Sequence, residues 1–526
     1  MPSFKNILFI MCDQLRQDYL SCYGNKRIQT PNIDKLAARG VTFTNAFCQA
    51  PLCGPSRASF YTGKYMTSHG VMGNEDYTRL DEWMISDYLH PLNYRTAVVG
   101  KTHNRKNPDE LQRMGLNMGA DRLSTMPCGG FEPFEWHEGL YPNEILPENQ
   151  GYSQYLKSKG YPTSNPWQFC ANSSIDEQGN LHSGWNLSSA RYPANIREED
   201  SETAFCTDRA IEFIQSTKDQ PWCLHLSYIK PHWPIIAPSP YHEQYSVEDV
   251  PAAVKADSEK TNPHPLLQAF MQKEYSESYA DEDLRDEVIP VYMGLVTQLD
   301  DHLGRLFDFL EAENQMASTL IVFTSDHGDY LGDHWLGEKD LYHDPSIKIP
   351  MIVVNPDASA DPSRGQKREE IIESIDLLPT FIDYASATQA PERLDGMSIN
   401  RLLSSPKSLE DWRSFAICEL DYSERVQYQF PDLNPYQLRA TVVRNEQWKY
   451  VHHVALECQL FDLENDPNEF HDLGTCPDHQ VIREQMIGYL LEWQQAIKKR
   501  PGVEYQYLLG QSPERDESFG IIIGRK

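Results

Sequence analysis

The sequence predicts an α/β fold: a large, mixed and mostly parallel sheet flanked by helices, with a smaller C-terminal α+β domain that contains a short antiparallel sheet. A chain of 526 residues is too long for one small domain. Up to about residue 400, short apolar runs alternate with helical patterns, which is typical of a parallel sheet. Beyond that point short strands surround a turn, and one helix follows them. We therefore expect one domain at 1–400 and a second at 401–526.

The helices of the first domain have recognisable ends and faces. For the first of them, Thr30 is the expected cap, Pro31 lies in the first turn and Gly40 ends the helix. The longest shows an apolar stripe at three- and four-residue steps. The predicted helices are 30–40, 82–89, 202–214, 286–313 and one that starts at 374, and the predicted strands are 6–11, 96–99, 223–228, 319–324 and 349–354.

The second domain and the connections are less regular. Strands are expected at 437–443, 449–454 and 460–463, and a helix at 482–497. Two polar stretches, 104–199 and 238–285, have no sustained period, and we expect them to lie over the mouth of the site and shape specificity. The tail from Pro501 to Lys526 has no core of its own and is expected to reach over a neighbouring subunit.

Charge and cysteine content restrict the partners. The net charge of −30 argues against binding nucleic acid or an anionic membrane, and no apolar run approaches the length of a membrane span. An anionic substrate would therefore need a local cationic site, with a metal ion as one source of positive charge. The eleven cysteines are irregularly spaced without C-x-x-C pairs, which suits reduced thiols and predicts a cytoplasmic location.

The segment that follows Pro51 is predicted to be a loop that becomes a helix. Gly54 permits an unusual backbone angle, and Pro55 suits a first helical turn. Cys53 would then lie at the positive end of the helix, where free backbone N–H groups stabilise an anion. Arg57, one turn later, falls on the same side of the helix. This pattern indicates a reactive centre beside an anion-binding group.

Polar residues follow four of the predicted strands. In open parallel sheets, ligands bind beyond the carboxyl ends of the strands, so these residues are expected to meet at one edge. Carboxylate, amide and imidazole groups without a cluster of thiolates favour Ca²⁺, Mn²⁺ or Mg²⁺. Two carboxylates balance a dication, so the remaining cations are free to hold a sulfate or phosphate monoanion. The residues concerned are Asp13, Gln14, Asp326 and His327 as metal-type ligands, and Arg57, Lys101, His103, His232 and Lys339 as surplus cationic groups.

These motifs resemble those of the type I sulfatases, in the alkaline phosphatase superfamily. The most specific is Cys53-Gly54-Pro55-Ser56-Arg57 followed by Thr62-Gly63-Lys64, which resembles the family signature whose cysteine is oxidised to Cα-formylglycine. Further matching blocks, in chain order, are the strand that ends in Asp13-Gln14, Thr30-Pro31-Asn32-Ile33-Asp34, Gly100-Lys101-x-His103, Pro231-His232-Trp233-Pro234, Ser325-Asp326-His327-Gly328-Asp329 and Phe461-Asp462-Leu463-x-x-Asp466-Pro467-x-Glu469.

The resemblance implies an alkaline phosphatase-like catalytic domain at 1–400 and hydrolysis of sulfate monoesters of the arylsulfatase type. It implies one divalent metal ion, with Ca²⁺ or Mn²⁺ ahead of Mg²⁺. It also implies a formylglycine-generating maturation enzyme as a partner and a homo-oligomer, either a dimer or a tetramer. The implied roles are metal ligation by Asp13, Gln14, Asp326, His327 and modified Cys53; positioning of the formylglycine by Arg57; and contact with the sulfate and leaving oxygen by Lys101, His103, His232 and Lys339, with Asn74 as a further substrate contact.

The resemblance also implies a mechanism. A hydrated aldehyde offers one hydroxyl that attacks sulfur and a second whose deprotonation, by His103, releases sulfate. His232 is the expected proton donor to the departing alkoxide. One block departs from the family pattern, because Gly337-Glu338-Lys339 has Glu where Lys more often follows Gly directly.

Three other functions compete with this one. A phosphonate monoester or phosphodiester hydrolase of the same superfamily shares most of the motifs, but its members tend to have neutral hydroxyl residues in place of Lys101 and His103. We therefore favour sulfate, with phosphonate or phosphate ester hydrolysis as a side activity. A cysteine-dependent phosphatase would need a longer loop than C-x₃-R and would leave the metal-type ligands unexplained. A passive anion-binding protein would need neither the signature nor so many titratable groups.

Overall fold

The computed structural model describes residues 5–116, 121–139, 150–161, 164–217, 219–386, 391–405, 407 and 409–498. The predicted tail from Pro501 to Lys526 lies outside the described residues. Over the described part of the chain the strands are β1 Asn6–Cys12, β2 Val41–Phe43, β3 Ala46–Phe47, β4 Arg95–Gly100, β5 Glu132–Trp136, β6 Ser173–Ile175, β7 Leu181–Ser183, β8 Trp222–Tyr228, β9 Thr319–Thr324, β10 Met351–Val354, β11 Gln366–Arg368, β12 Ile372–Glu373, β13 Ala416–Asp421, β14 Arg439–Arg444, β15 Trp448–His453 and β16 Gln459–Asp462.

Helices connect these strands and cover the sheet. The α-helices of the described residues are α1 Pro31–Arg39, α2 Cys53–Thr62, α3 Met66–His69, α4 Ile85–Leu89, α5 Pro108–Arg113, α6 Asp121–Thr125, α7 Gly151–Ser158, α8 Glu202–Ser216, α9 Pro265–Met271, α10 Glu274–Ala280, α11 Glu282–Ala312, α12 Asp344–Ile347, α13 Leu377–Ser386, α14 Asn400–Ser404, α15 Ser423–Val426 and α16 Gln480–Ala496.

One eight-stranded sheet organises the large domain, in the order β11-β2-β10-β9-β1-β8-β4-β5. Neighbouring strands run parallel, except that β10 is antiparallel to both β9 and β2. Central strand β1 pairs in parallel with β8 and β9, and all seven of its residues are buried. Such a fully buried strand reads as a continuous apolar run, which is why the sequence predicted it. The predicted mixed, mostly parallel sheet is confirmed.

The two faces of this sheet carry separate halves of the core. Leu8 and Ile10 of β1 pack with buried residues of α1, α8 and α11. The alternate residues Ile7 and Phe9 point to the other face and join a cluster that includes residues of α2 and α13. This alternation follows from the period of two in a strand. It places α2, whose first residue is Cys53, against the sheet face opposite to α11.

The C-terminal part forms the predicted small antiparallel sheet. Strands β13, β14, β15 and β16 pair in that order, each antiparallel to the next. Helix α16 packs on the sheet through Met486, Leu490 and Trp493, which share a buried cluster with residues of all four strands. Strand β13 was not predicted, and it begins well after the expected start of this domain at 401. The boundary between 400 and 401 stays a prediction.

Other local predictions were wrong. Thr30 makes no side-chain cap to α1, because its hydroxyl instead accepts from the backbone N–H of Ser21. The helix expected at 82–89 begins only at Ile85. The stretch 104–199 is more than a loop excursion, since β5 within it extends the main sheet beside β4. Within the described residues, no helix combines the length and the apolar composition needed to cross a membrane.

Candidate active site

Helix α2 presents Cys53 as its first residue. Leu52 before it is extended, and every residue of α2 is buried. The Gly54 N–H donates to the Asn74 side-chain oxygen at 2.9 Å, so Asn74 caps this helix end. A Cβ on Gly54 would lie 3.2 Å from the Asn74 Cα. Gly54 is therefore required by a close approach of two segments, and the expected unusual backbone angle was wrong, since Gly54 is helical.

Arg57 forms ion pairs with both metal-type carboxylates. Its side chain is fully buried, and its Nε donates to the Asp326 carboxylate at 2.9 Å while Nη2 donates to Asp13 at 3.2 Å. Nη1 donates to the Lys101 carbonyl at 2.9 Å and to the Ser227 hydroxyl at 2.8 Å. A planar guanidinium can make these four contacts at once, and an ammonium cannot. Arg57 therefore connects residues at the carboxyl ends of β1, β4, β8 and β9.

Four buried side chains place metal-type donor atoms within 4.8 Å of one another: Asp13, Cys53, Asp326 and His327. The Cys53 Sγ lies 3.1 Å from His327 Nε2 and 3.7 Å from Asp13 Oδ1. His327 Nδ1 donates to the Gly328 carbonyl at 2.9 Å, which directs Nε2 towards the cysteine. An imidazole that is held in this way is suited to metal ligation through its other nitrogen. The donor set fits a divalent cation.

Gln14 lies at the edge of this cluster. Its backbone has a positive φ of 62°, and its N–H donates to Asp326 at 3.0 Å. The side-chain oxygen accepts from Lys339 at 2.6 Å, and the side-chain nitrogen donates to Asp329. Burial, together with the nearby Glu338 carboxylate, raises the pKa of Asp329 to about 7. Asp329 was not among the predicted site residues, although it belongs to the motif that contains Asp326 and His327.

Two buried lysines flank Cys53. Lys101 Nζ lies 2.6 Å from the Asp13 carboxylate and 3.9 Å from Cys53 Sγ. Lys339 Nζ donates to the Gln14 side-chain oxygen at 2.6 Å, and its charge lowers the pKa of Cys53. Lys101 is only 2% exposed and Lys339 only 4%. Both predicted cations are therefore inside the site, where their charges are poorly screened by solvent.

The two predicted histidines occupy different positions. His232 is buried, its Nδ1 donates to the Trp233 carbonyl at 2.7 Å, and its Nε2 lies 3.1 Å from Lys339 Nζ. Burial and Lys339 lower the pKa of His232 to about 4, so Nε2 accepts from the ammonium. His103 has a φ of 48°, and its backbone N–H donates to Glu138. The Nδ1 atom of His103 is buried and has no partner among the described residues.

The electrostatics of the site favour an anion at Cys53. Burial and the Asp13 carboxylate both oppose ionisation of the thiol, but Lys101, Lys339 and His327 outweigh them and lower its pKa to about 5. Burial opposes the charged form of the His327 imidazole as well, yet Asp326 and the Cys53 sulfur raise its pKa to about 10. A metal ion bound by His327 would displace that proton. Cys53 thus lies in a locally cationic environment within a protein of negative net charge.

The C-terminal domain contributes to the rim of the site, which the sequence analysis did not anticipate. Arg425 of α15 contacts Asp340, and the Asp340 N–H donates to the carbonyl of Pro51 just before the cysteine helix. The neighbouring Glu424 lies so close to Gly73 that a Cβ there would be 2.8 Å from its carboxylate. No local pattern in the sequence indicates these contacts, because they join segments far apart in the chain.

The mostly parallel sheet, the site at its carboxyl edge and the small antiparallel C-terminal sheet define an alkaline phosphatase-like hydrolase. Residues 5–387 match the family model described as Sulfatase, and residues 332–496 match the model described as N-sulphoglucosamine sulphohydrolase, C-terminal. The chain therefore belongs to the sulfatase family, the type I sulfatases of the alkaline phosphatase superfamily, as its motifs predicted.

The proteins that are similar to this chain are named for different activities. The chain is 30% identical to the multifunctional alkaline phosphatase superfamily protein PehA of Trinickia caryophylli, over 95% of this chain and 97% of that protein. It is 27% identical to the arylsulfatase of Clostridium perfringens (strain 13 / Type A), over 96% of each. The solved structure of the phosphonate monoester hydrolase SpPMH from Silicibacter pomeroyi superposes with a TM-score of 0.81 at 28% identity, over 93% of this chain and 95% of that one.

Proposed function

We propose that this protein hydrolyses sulfate monoesters of the arylsulfatase type, with a formylglycine made from Cys53 as the nucleophile and a divalent cation beside it. The observation that carries the proposal is the placement of two buried ammonium groups, Lys101 and Lys339, at the cysteine. Together with Arg57 they supply three positive charges against the carboxylates of Asp13 and Asp326. The site is thus suited to a compact oxyanion.

The residues that would hold the cation are Asp13, Gln14, Asp326 and His327, completed by the modified Cys53. Oxygen donors with a single imidazole favour Ca²⁺ or Mn²⁺, with Mg²⁺ as a third option. Such a cation supplies Lewis-acid polarisation and lowers the pKa of a hydroxyl bound to it. A formylglycine at position 53, as a hydrated aldehyde, would supply one hydroxyl for attack on sulfur and a second whose deprotonation would release sulfate and restore the aldehyde.

The surrounding residues bind the substrate and move protons. Lys101 and Lys339 would each donate to a sulfate oxygen, and both are held by acceptors, Asp13 and Gln14, that fix their orientation. Lys339 also donates to His232 Nε2, so this pair can deliver a proton to the leaving oxygen. His103, whose buried Nδ1 has no partner within the part of the chain that the structure describes, is suited to accept the proton that leaves when sulfate is released.

A second function has its own support. PehA and SpPMH, both similar to this chain over nearly all of its length, are named as a multifunctional protein and a phosphonate monoester hydrolase. A phosphonate monoester is also a monoanion, but a carbon group replaces one of its oxygens. The buried ammonium groups of Lys101 and Lys339 are hydrogen-bond donors, which suits the three terminal oxygens of a sulfate ester better than the two oxygens and one carbon group of a phosphonate ester.

Paired substrates test the proposal. An aryl sulfate and an aryl phosphonate monoester with the same phenol leaving group are compared by kcat/KM, using protein matured with a formylglycine-generating enzyme and loaded with Mn²⁺ or Ca²⁺. Cys53→Ala is the inactive control. We expect the sulfate to be the better substrate. A phosphonate rate far above the sulfate rate would instead support the second function, and failure to hydrolyse either ester would contradict both.

A further inference from the structure

A second cluster of metal-type side chains lies outside the active site. His137 follows directly after β5, and Glu202 and Cys206 lie one turn apart on α8. All three are buried, and their donor atoms lie within 4.8 Å of one another. His137 Nε2 is 3.5 Å from Cys206 Sγ and 3.6 Å from Glu202 Oε1, and the sulfur is 3.3 Å from that same oxygen.

These separations are those of three ligands around one tetrahedral ion. With metal–sulfur, metal–nitrogen and metal–oxygen distances typical of Zn²⁺, the edges of the ligand triangle are about 3.3–3.7 Å. The three observed edges fall in that range, so an ion could be bound without rearrangement of the backbone. A thiolate, a carboxylate and a neutral imidazole are also the ligand types that Zn²⁺ binds.

Unpartnered polar atoms in the cluster provide an independent indication. Glu202 Oε2 and His137 Nδ1 are buried and have no hydrogen-bond partner among the described residues. A buried polar atom without a partner costs about 1–3 kcal/mol. Burial also raises the pKa of Glu202 to about 7, and burial together with the Glu202 carboxylate raises the pKa of Cys206 well above its usual value. A dication would balance the charges of one thiolate and one carboxylate.

Space and neighbouring charge are compatible with an ion. A cavity of about 30 Å³ borders Glu202 and Lys230, which is enough for one water molecule beside Glu202. Lys230 is the cation that faces this side of Glu202, and its Nζ donates to the Pro234 carbonyl at 2.7 Å. The Lys230 ammonium therefore has a backbone acceptor of its own.

We propose that His137, Glu202 and Cys206 form a second metal site, for a borderline divalent cation of the Zn²⁺ kind, independent of the catalytic cation. Binding releases the Cys206 thiol proton to solvent, together with the carboxyl proton of any chain in which Glu202 is protonated, and involves no oxidation. Glu202 Oε1 also accepts from the Ile229 N–H at 3.4 Å, just before His232. The ion would therefore tie α8 and β5 to the segment that carries an active-site histidine.

The test uses Co²⁺ as the probe in a chain that lacks the active-site cysteine. In the Cys53→Ala protein, the active-site cluster offers no sulfur, so a sulfur-to-cobalt charge-transfer band reports Cys206. The band is measured in Cys53→Ala and after addition of Cys206→Ala or His137→Gln. Cys223→Ala is the matched control, because Cys223 is equally buried and burial alone raises its pKa. Circular dichroism establishes that each variant is folded.

We expect the band in Cys53→Ala and in the Cys223 control, its loss with Cys206→Ala and its weakening with His137→Gln. Zn²⁺ should abolish the band by competition. Because Asp13, Asp326 and His327 remain in every variant, Zn²⁺ should still raise the melting temperature of the Cys206→Ala variant, but by less than that of Cys53→Ala. The proposal would be overturned if Cys53→Ala gave no sulfur band, or if Zn²⁺ raised its melting temperature no more than that of the variant that also carries Cys206→Ala. That result would leave His137, Glu202 and Cys206 as a hydrogen-bonded cluster without a metal ion, whatever the outcome for sulfate hydrolysis.

Discussion

Replacement of Arg57 by Met should weaken the fold most when no metal ion is bound. The guanidinium is fully buried and contacts the carboxylates of Asp13 and Asp326 at 3.2 and 2.9 Å. Loss of one partner of a buried ion pair costs about 3–5 kcal/mol, because the remaining charge stays buried. Asp13 keeps Lys101 at 2.6 Å, so the unbalanced charge is mainly that of Asp326. We therefore expect a loss near the lower limit, about 3 kcal/mol.

The assay is unfolding in urea, monitored with and without a saturating divalent cation. A cation held by Asp13 and Asp326 replaces part of the charge that Arg57 supplied, so the stability difference between Arg57→Met and the parent should shrink when Mn²⁺ is added. Binding of the cation to the folded state stabilises both proteins, and it should stabilise the variant more.

Arg285→Met is the matched control. Arg285 is equally buried, but its Nε and Nη2 donate to the carbonyls of Leu331 and Pro251. We expect a loss of about 1–3 kcal/mol from its two hydrogen bonds, and the same loss with and without Mn²⁺. The reasoning would be refuted if the metal-free Arg57→Met protein were within about 1 kcal/mol of the parent, or if Mn²⁺ left its deficit unchanged.

Three further substitutions test separate parts of the structure. Asn74→Ala should destabilise the protein by about 1 kcal/mol in urea, because the Gly54 N–H at the start of α2 loses its acceptor. His69 is buried beside Ser59, and burial lowers its pKa to about 3. Below the ordinary histidine pKa of about 6.5, the unfolded chain therefore binds one more proton than the folded protein, and the free energy of unfolding decreases as the pH falls. His69→Gln should therefore reduce the dependence of unfolding free energy on pH between about 4 and 6 by about one proton. Lys339→Ala should lower kcat/KM for aryl sulfates by about 100–1000-fold, and more for phenols of higher pKa, because Lys339 contacts His232 where the leaving oxygen is protonated.

Each of these has an outcome that would contradict it. Asn74→Asp keeps an acceptor and should restore the stability, so equal losses in Ala and Asp variants would exclude a capping role. An unchanged pH dependence in His69→Gln would show that this ring is protonated in the folded state. A loss of rate in Lys339→Ala that is the same for all leaving groups would remove Lys339 and His232 from proton delivery and leave Lys339 as a sulfate contact.

Much of the fold was predictable because its central elements carry strong local patterns. The buried strand β9 was predicted with its observed bounds, and β1, β4 and β8 within one residue at each end. These strands are continuous apolar runs that end in polar residues. Because β1, β4, β8 and β9 run parallel, their carboxyl ends meet, and that alone brought Asp13, Lys101 and Asp326 together in the prediction.

What could not be predicted depends on contacts between distant segments. Strands β2 and β11 are only three residues long and lie at one side of the sheet, so neither has a recognisable period. The capping role of Asn74 and the rim contact between Arg425 and Asp340 join segments that no local pattern connects. Gly54 was expected to adopt an unusual backbone angle, whereas its lack of a side chain permits close packing against Asn74.

The central claim is that Cys53 is a precursor and that the active nucleophile is its oxidised product. Trypsin should release residues 40–57 as one peptide, which contains both Cys48 and Cys53. In protein matured with a formylglycine-generating enzyme, mass spectrometry after alkylation should show one alkylated cysteine, Cys48, and the replacement of the Cys53 thiol by an aldehyde. The converted fraction should rise in proportion to aryl sulfatase activity across preparations. Fully active protein in which both cysteines are alkylated would contradict the account.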